Sequence, residues 1–182
     1  VNIVWQAPEM TGGFPLRGYH VWVGESPIDL VLIDTLPPDR FEFDDVNVTN
    51  GETYWYSVEA FTQNGTSKKT NPAQATPHTV PGLCRNLELK EGDGYITVTW
   101  DPPLDDGGLA ITGYTVYYGL SQDAIDFYTE VGNTTTYSHT SVTAGDTYWF
   151  QVLATNDEDG PKTDPGKIQI QEEDDGEDKN LL

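Results

Sequence analysis

Cysteine is all but missing from this chain: Cys84 is the one thiol in 182 residues. A lone cysteine closes no internal disulfide and lacks the spacing of a zinc site, so neither kind of staple holds the fold. Cys84 reads instead as a small buried hydrophobe. Basic residues are scarce as well. Nine Lys and Arg stand against 30 Asp and Glu, for a formal net charge of -21. Phosphate backbones and anionic lipid headgroups repel such a chain, which sets aside nucleic-acid binding and electrostatic attachment to membranes. No apolar run approaches the roughly 20 residues of a membrane-crossing helix, so direct membrane insertion of this segment is not expected. The first residues show no secretory leader pattern, and Val1 reads as internal to a longer chain.

Catalytic signatures are missing too. The three histidines, His20, His78 and His139, fall on a strand, in a linker and on or near a second strand. No HExxH, GxSxG, P-loop or GxGxxG occurs, and those are the patterns that place a metal, a nucleophile or a phosphate cradle. The carboxylates are many but sit mostly in turns, with no acid and base paired against that background. The chain reads as non-catalytic and without a required cofactor.

What the sequence does hold is a repeat. Trp5 recurs 95 residues on at Trp100, Pro8 at Pro103, and Gly12-Gly13 at Gly107-Gly108. Gly18-Tyr19 recurs at Gly113-Tyr114, Val21 at Val116, Gly24 at Gly119 and Ser26 at Ser121. Further on, Gly51, Tyr54, Val58 and Ala60 match Gly145, Tyr148, Val152 and Ala154, and Gly65 matches Gly160. The chain is two copies of one module, read as residues 1–79 and 80–171, with an acidic tail or linker at 172–182. Each copy is all strand. "YITVTW" puts Ile96, Val98 and Trp100 on one face, "GYTVYYG" alternates, and "DTYWFQVLA" repeats "ETYWYSVEA". Turn residues punctuate these runs, and no amphipathic helical window interrupts them. Short strands at this module size argue for antiparallel sandwiches.

The spacing W-x-x-P, G-G-x-x-x-x-G-Y-x-V and G-x-x-Y-x-x-x-V-x-A, present twice, resembles the fibronectin type III domain. The resemblance covers nearly the whole chain. It implies an all-β fold of two consecutive immunoglobulin-like antiparallel β-sandwiches, with strands A, B and E in one sheet and C′, C, F and G in the other. The run "LDDGGLAITGYTVYYG" is similar to microbial extracellular repeats of this family. Trp100 is expected to pack across its sandwich, and Tyr148 and Tyr54 to form the aromatic corner at the start of strand F. "GLCRNLEL" reads as strand A of copy 2, whereas only four residues precede Trp5, so the first sandwich lacks its strand A. Three readings of that gap stand side by side: the fragment begins there, a neighbour supplies the strand, or the sandwich tolerates the loss.

Two features are candidate sites. Asp105 and Asp106 in the B–C loop, with Asp157, Glu158 and Asp159 in the F–G loop, gather at one pole in the topology that the resemblance implies. Five carboxylates there make a candidate calcium set, although no EF-hand spacing occurs and loop carboxylates are commonly just solvated. The second feature is an outward row. If Tyr54, Tyr56 and Val58 face the core, Trp55 faces out; Trp22 does so on the neighbouring strand, and Tyr117 and Trp149 repeat them. Such a row either stiffens its own sheet or meets a protein or glycan partner, or a neighbouring copy of the same protein. Sequons at Asn47, Asn64 and Asn133 fit a secreted glycoprotein. The expectation is a spacer or adhesion segment of a longer extracellular or cell-surface protein. The alternatives are an accessory region of a secreted enzyme and a receptor-type protein-binding module.

Overall fold

A computed structural model describes residues 1–172 of the chain. The tail read at 172–182 therefore lies, from residue 173, outside the described residues. All regular structure among them is β-strand, and no helix is long and apolar enough to cross a membrane. The chain divides into two compact units after His78.

The second unit is the fuller one. Its strands are β8 (Arg85–Gly92), β9 (Tyr95–Asp101), β10 (Gly113–Gly119), β11 (Phe127–Gly132), β12 (Thr136–His139), β13 (Thr147–Thr155) and β14 (Gly166–Gln169). They pair antiparallel in two sheets, ordered β12-β9-β8 and β11-β10-β13-β14. Period-two alternation explains which face each residue takes. Ile96, Val98 and Trp100 from β9 are buried, as are Tyr114 and Val116 from β10, and Tyr148, Phe150, Val152 and Ala154 from β13. Burying each such aliphatic side chain contributes about 1.5–3 kcal/mol. Cys84 lies in this core, and Leu87 and Leu89 of β8 pack against it. Trp100 meets Tyr114 edge-on, with centroids 5.5 Å apart. The tight β8–β9 connection is Asp93-Gly94, where Gly94 takes φ +77°, a conformation open to glycine at no steric cost. The aromatic corner is present: the Tyr148 hydroxyl accepts from the Thr143 N–H at 2.9 Å and donates to the Ser141 carbonyl at 3.4 Å.

The first unit repeats this plan without a counterpart of β8. β1 (Asn2–Val4) pairs with β4 (Glu42–Asp44) as a two-stranded sheet, and no strand in the described residues takes the place that β8 has beside β9. The facing sheet joins β3 (Val31–Leu36), β2 (Leu16–Gly24), β5 (Tyr54–Thr62), and the short β6 (Gly65–Thr66) and β7 (Ala73–Ala75). Its core is thinner in consequence. Tyr19, Val21, Tyr56 and Val58 are buried, but Trp5 is only half-buried, whereas Trp100 is 3% exposed. Trp5 still meets Tyr19 edge-on at 5.4 Å, and Tyr54 accepts from the Thr49 N–H at 2.9 Å. A buried carboxylate fills part of the interior: Asp45 accepts from the Tyr56 hydroxyl at 3.0 Å and from the Asn47 N–H at 3.0 Å.

Between β6 and β7 the ladder to β5 is kept by a side chain. The Thr70 N–H donates to the Val58 carbonyl at 2.9 Å, and its Oγ1 accepts from the Val58 N–H at 3.1 Å. Thr163 treats Val152 the same way in the second unit. A threonine hydroxyl thus replaces a missing strand carbonyl in both repeats, and no buried amide of the central strand is left unpaired there.

Candidate functional site

The outward row lies where alternation puts it. Trp22 stands opposite Ser57, and Trp55 opposite Gly24. The two tryptophans are therefore diagonal neighbours on the outer face of the β3-β2-β5 sheet. Tyr117 opposite Gln151 and Trp149 opposite Gly119 repeat the diagonal on β10 and β13. All four rings are half-buried.

Lysines, rather than other members of the row, meet three of these rings. Lys69 Nζ sits 3.2 Å from the Trp22 ring centroid, Lys162 Nζ 3.4 Å from that of Tyr117, and Lys167 Nζ 5.5 Å from that of Trp149. Trp149 and Lys167 are direct cross-strand partners, and the matching partner of Trp55 is Gln74. An ammonium on an indole or phenol face contributes about 0.5–1 kcal/mol when exposed and more when water is excluded. Three of the chain's nine basic residues are used in this way. The lysine methylenes also cover ring surface that would otherwise be bare. Beside Trp22, His20 Nδ1 lies 2.9 Å from Glu59 Oε1, and its ring stacks on Phe61 at 4.5 Å. Beside Tyr117 lies Tyr128, with centroids 5.8 Å apart. Burial raises the Tyr117 phenol pKa, helped by the negative charges of Asp159 and Glu130.

Three of the five loop carboxylates are engaged within their own loops. Asp105 Oδ1 accepts from the Gly107 N–H and Asp106 Oδ1 from the Gly108 N–H, each at 2.9 Å. Asp159 Oδ1 accepts from the Thr155 hydroxyl at 2.8 Å. These are short-range turns that satisfy nearby donors. The centre of the loop pair is Asn156, 4% exposed. Its Oδ1 accepts from the N–H groups of Asp157 and Glu158, and its Nδ2 donates to the carbonyls of Thr79 and Asp106 at 2.9 and 3.0 Å. One amide side chain thus ties both loops to Thr79. Among the described residues, no three His, Cys, Asp or Glu gather where they hold a metal.

The sequons are exposed at Asn47, Asn64 and Asn133. The Asn133 amide already donates to the Ile111 carbonyl at 3.2 Å. Sequence reasoning missed Asn156 and the three lysine caps. The scarcity of bases was the available signal for the lysines, since any base kept in so acidic a chain has a local reason to be there.

Sheets ordered A-B-E and C′-C-F-G in the second unit, matched in the first without strand A, and a Tyr corner and a Trp–Tyr core contact in each unit define the class as immunoglobulin-like β-sandwiches in tandem. Residues 82–169, nearly the whole second unit, match the family model of the fibronectin type III domain, and the first unit repeats that unit's all-β sandwich plan. Among curated proteins it is 29% identical over 170 residues to Exoglucanase B of Cellulomonas fimi, covering 86% of this chain and 14% of that protein. It is 27% identical over 155 residues to Fibronectin type III domain-containing protein 1 of Margaritifera margaritifera, covering 84% of this chain and 20% of that one. Neural cell adhesion molecule L1 of Mus musculus is 30% identical over 114 residues, covering 60% of this chain and 9% of its own length. The chain thus spans a fifth or less of each of these relatives. Among solved structures, a two-domain fibronectin type III segment of chicken tenascin aligns over 93% of this chain and 91% of its own, at 18% identity and a TM-score of 0.49.

Proposed function

We propose that this chain is a non-catalytic spacer or adhesion segment of a longer extracellular or cell-surface protein of the microbial type. In this reading its two domains fall at 1–79 and 80–171, an acidic tail follows at 172–182, and Asn47, Asn64 and Asn133 carry glycans. The observation that carries it is where the distinctive side chains stand. The aromatic rings and their lysines lie on sheet faces outside two filled cores, a surface suited to contact and not to sequestering a reaction. Its partner is a protein or glycan surface, or a neighbouring copy. A second reading, an accessory region of a secreted enzyme, draws on the likeness to Exoglucanase B over 86% of this chain.

One swap separates spacer from adhesion. The segment is replaced, within its parent protein, by an unrelated pair of sandwiches of equal length. A spacer role predicts that surface attachment survives; an adhesion role predicts that it is lost and that Trp22→Ser with Trp55→Ser reproduces the loss without unfolding the chain. Hydrolytic turnover by the purified segment would overturn both.

A further inference from the structure

The outer face of the second unit carries a groove. It is a cavity of about 490 Å³, floored by Tyr117 and Tyr128 and walled by Glu130, Asp159, Thr112 and Thr155. That is within the range of a small-ligand site. The register explains the grouping. Tyr117 opposes Tyr128 and Thr115 opposes Glu130 across β10 and β11, so both rings and the Glu130 carboxylate share one face. Asp159 arrives from the F–G loop, where it bridges to Thr155.

The corresponding positions of the first unit lack this chemistry. There Trp22 opposes Leu32 and His20 opposes Thr35, and Asn64, just before Gly65, stands where Asp159 precedes Gly160. The second ring and both carboxylates are therefore features of the second unit alone, not a by-product of the fold.

Three properties of the groove favour a cation. Glu130 and Asp159 are exposed and form no ion pair among the described residues. The Tyr117 ring already holds an ammonium, that of Lys162 at 3.4 Å, so this chain itself demonstrates how the floor receives one. Tyr128 is 62% exposed and has no lysine over its ring among the described residues. Around the groove the field of a chain with net charge -21 concentrates cationic partners. A neutral sugar gains nothing from that field.

We propose that this groove is a docking site for an arginine or lysine side chain on a basic segment of a protein partner. The guanidinium or ammonium stacks on Tyr128, and Glu130 and Asp159 receive its N–H groups. The inference rests on the adhesion reading above only in requiring a protein partner.

The test uses the whole chain and a blocked Gly-Arg-Gly peptide, with the citrulline peptide as its neutral isostere, followed by residue-resolved NMR. The arginine peptide is expected to shift the Tyr128 and Glu130 signals saturably, and the citrulline peptide to leave them in place. Tyr128→Ser, and separately Glu130→Gln, each weaken binding about tenfold at an unchanged melting midpoint, a loss the size of one stacked or paired contact. Both residues are exposed, so the variants fold. Equal binding by the variants, equal binding of citrulline, no saturable shift, or shifts of the same signals by a neutral gluco-oligosaccharide instead would each overturn the proposal. Surface attachment that survives Tyr128→Ser defeats the groove and leaves the adhesion reading standing.

Discussion

Alanine at Gly12 and alanine at Gly107 place the same methyl group at matching positions of the two repeats, and the structure assigns them different costs. Both glycines sit in the left-handed region, at φ +68° and +78°. An L-residue there costs about 1–2 kcal/mol, so both variants lose that much. Around Gly12 nothing lies within 4 Å of the new carbon. At Gly107 the new carbon collides with the Thr79 carbonyl oxygen and comes within 2.8 Å of the Val80 oxygen. That Thr79 oxygen is the acceptor for Asn156 Nδ2, and the Thr79 N–H donates to the Gly107 carbonyl at 2.9 Å. Relieving the collision moves Thr79 away from a buried amide, and stranding such a donor costs about 1–3 kcal/mol. Gly107→Ala is thus expected to destabilise the second unit by about 2–5 kcal/mol, against about 1–2 for Gly12→Ala in the first. Urea unfolding of each variant chain, followed by resolved NMR signals from each unit, reads the two losses separately. Equal losses would refute the role given to Thr79 and Asn156.

His139 is buried against Tyr118, Tyr148 and Phe150, and burial lowers its pKa from 6.5. A lowered folded-state pKa means the neutral ring contributes stability above pH 6.5 that is lost as the pH falls. The second unit's midpoint should drop as the pH falls below 6.5, and His139→Gln should flatten that slope; parallel slopes count against it. Burial pushes the Cys84 thiol up to about 11, so a disulfide reagent at neutral pH should label it only at the rate of unfolding; immediate stoichiometric labelling would contradict its core position. Tyr148→Phe removes the hydroxyl that serves Thr143 and Ser141 and should cost about 0.5–1.5 kcal/mol by denaturant melting; an unchanged midpoint would show the corner to be idle.

Much of this fold was legible because its signals are local. Alternation in "YITVTW" and "DTYWFQVLA" settles which side chains enter the core, and the Trp5–Trp100 register exposes the repeat without any knowledge of contacts. The thin core of the first unit was likewise legible as a strand without a counterpart. The site was read only in outline. Outward placement of Trp22 and Trp149 follows from period two, but their caps come from Lys69 and Lys167, which are remote in sequence and are brought close only by the sheet order. The carboxylates of Asp105 and Asp106 looked like a ligand set because they are crowded in sequence. One oxygen of each accepts from an amide two residues on, a contact set by backbone conformation that composition does not encode. Asn156 carries no motif at all; its role appears only when two loops and Thr79 converge on it.

The central claim is that the second unit is a self-contained sandwich whose distinctive chemistry lies outside its core. Residues 79–172 produced alone, and recorded by NMR through a urea titration, test it most directly. The account predicts a dispersed spectrum, a single cooperative transition, and Ile96, Val98 and Val152 among the last amides to exchange. A collapsed spectrum without slow-exchanging core amides would contradict it.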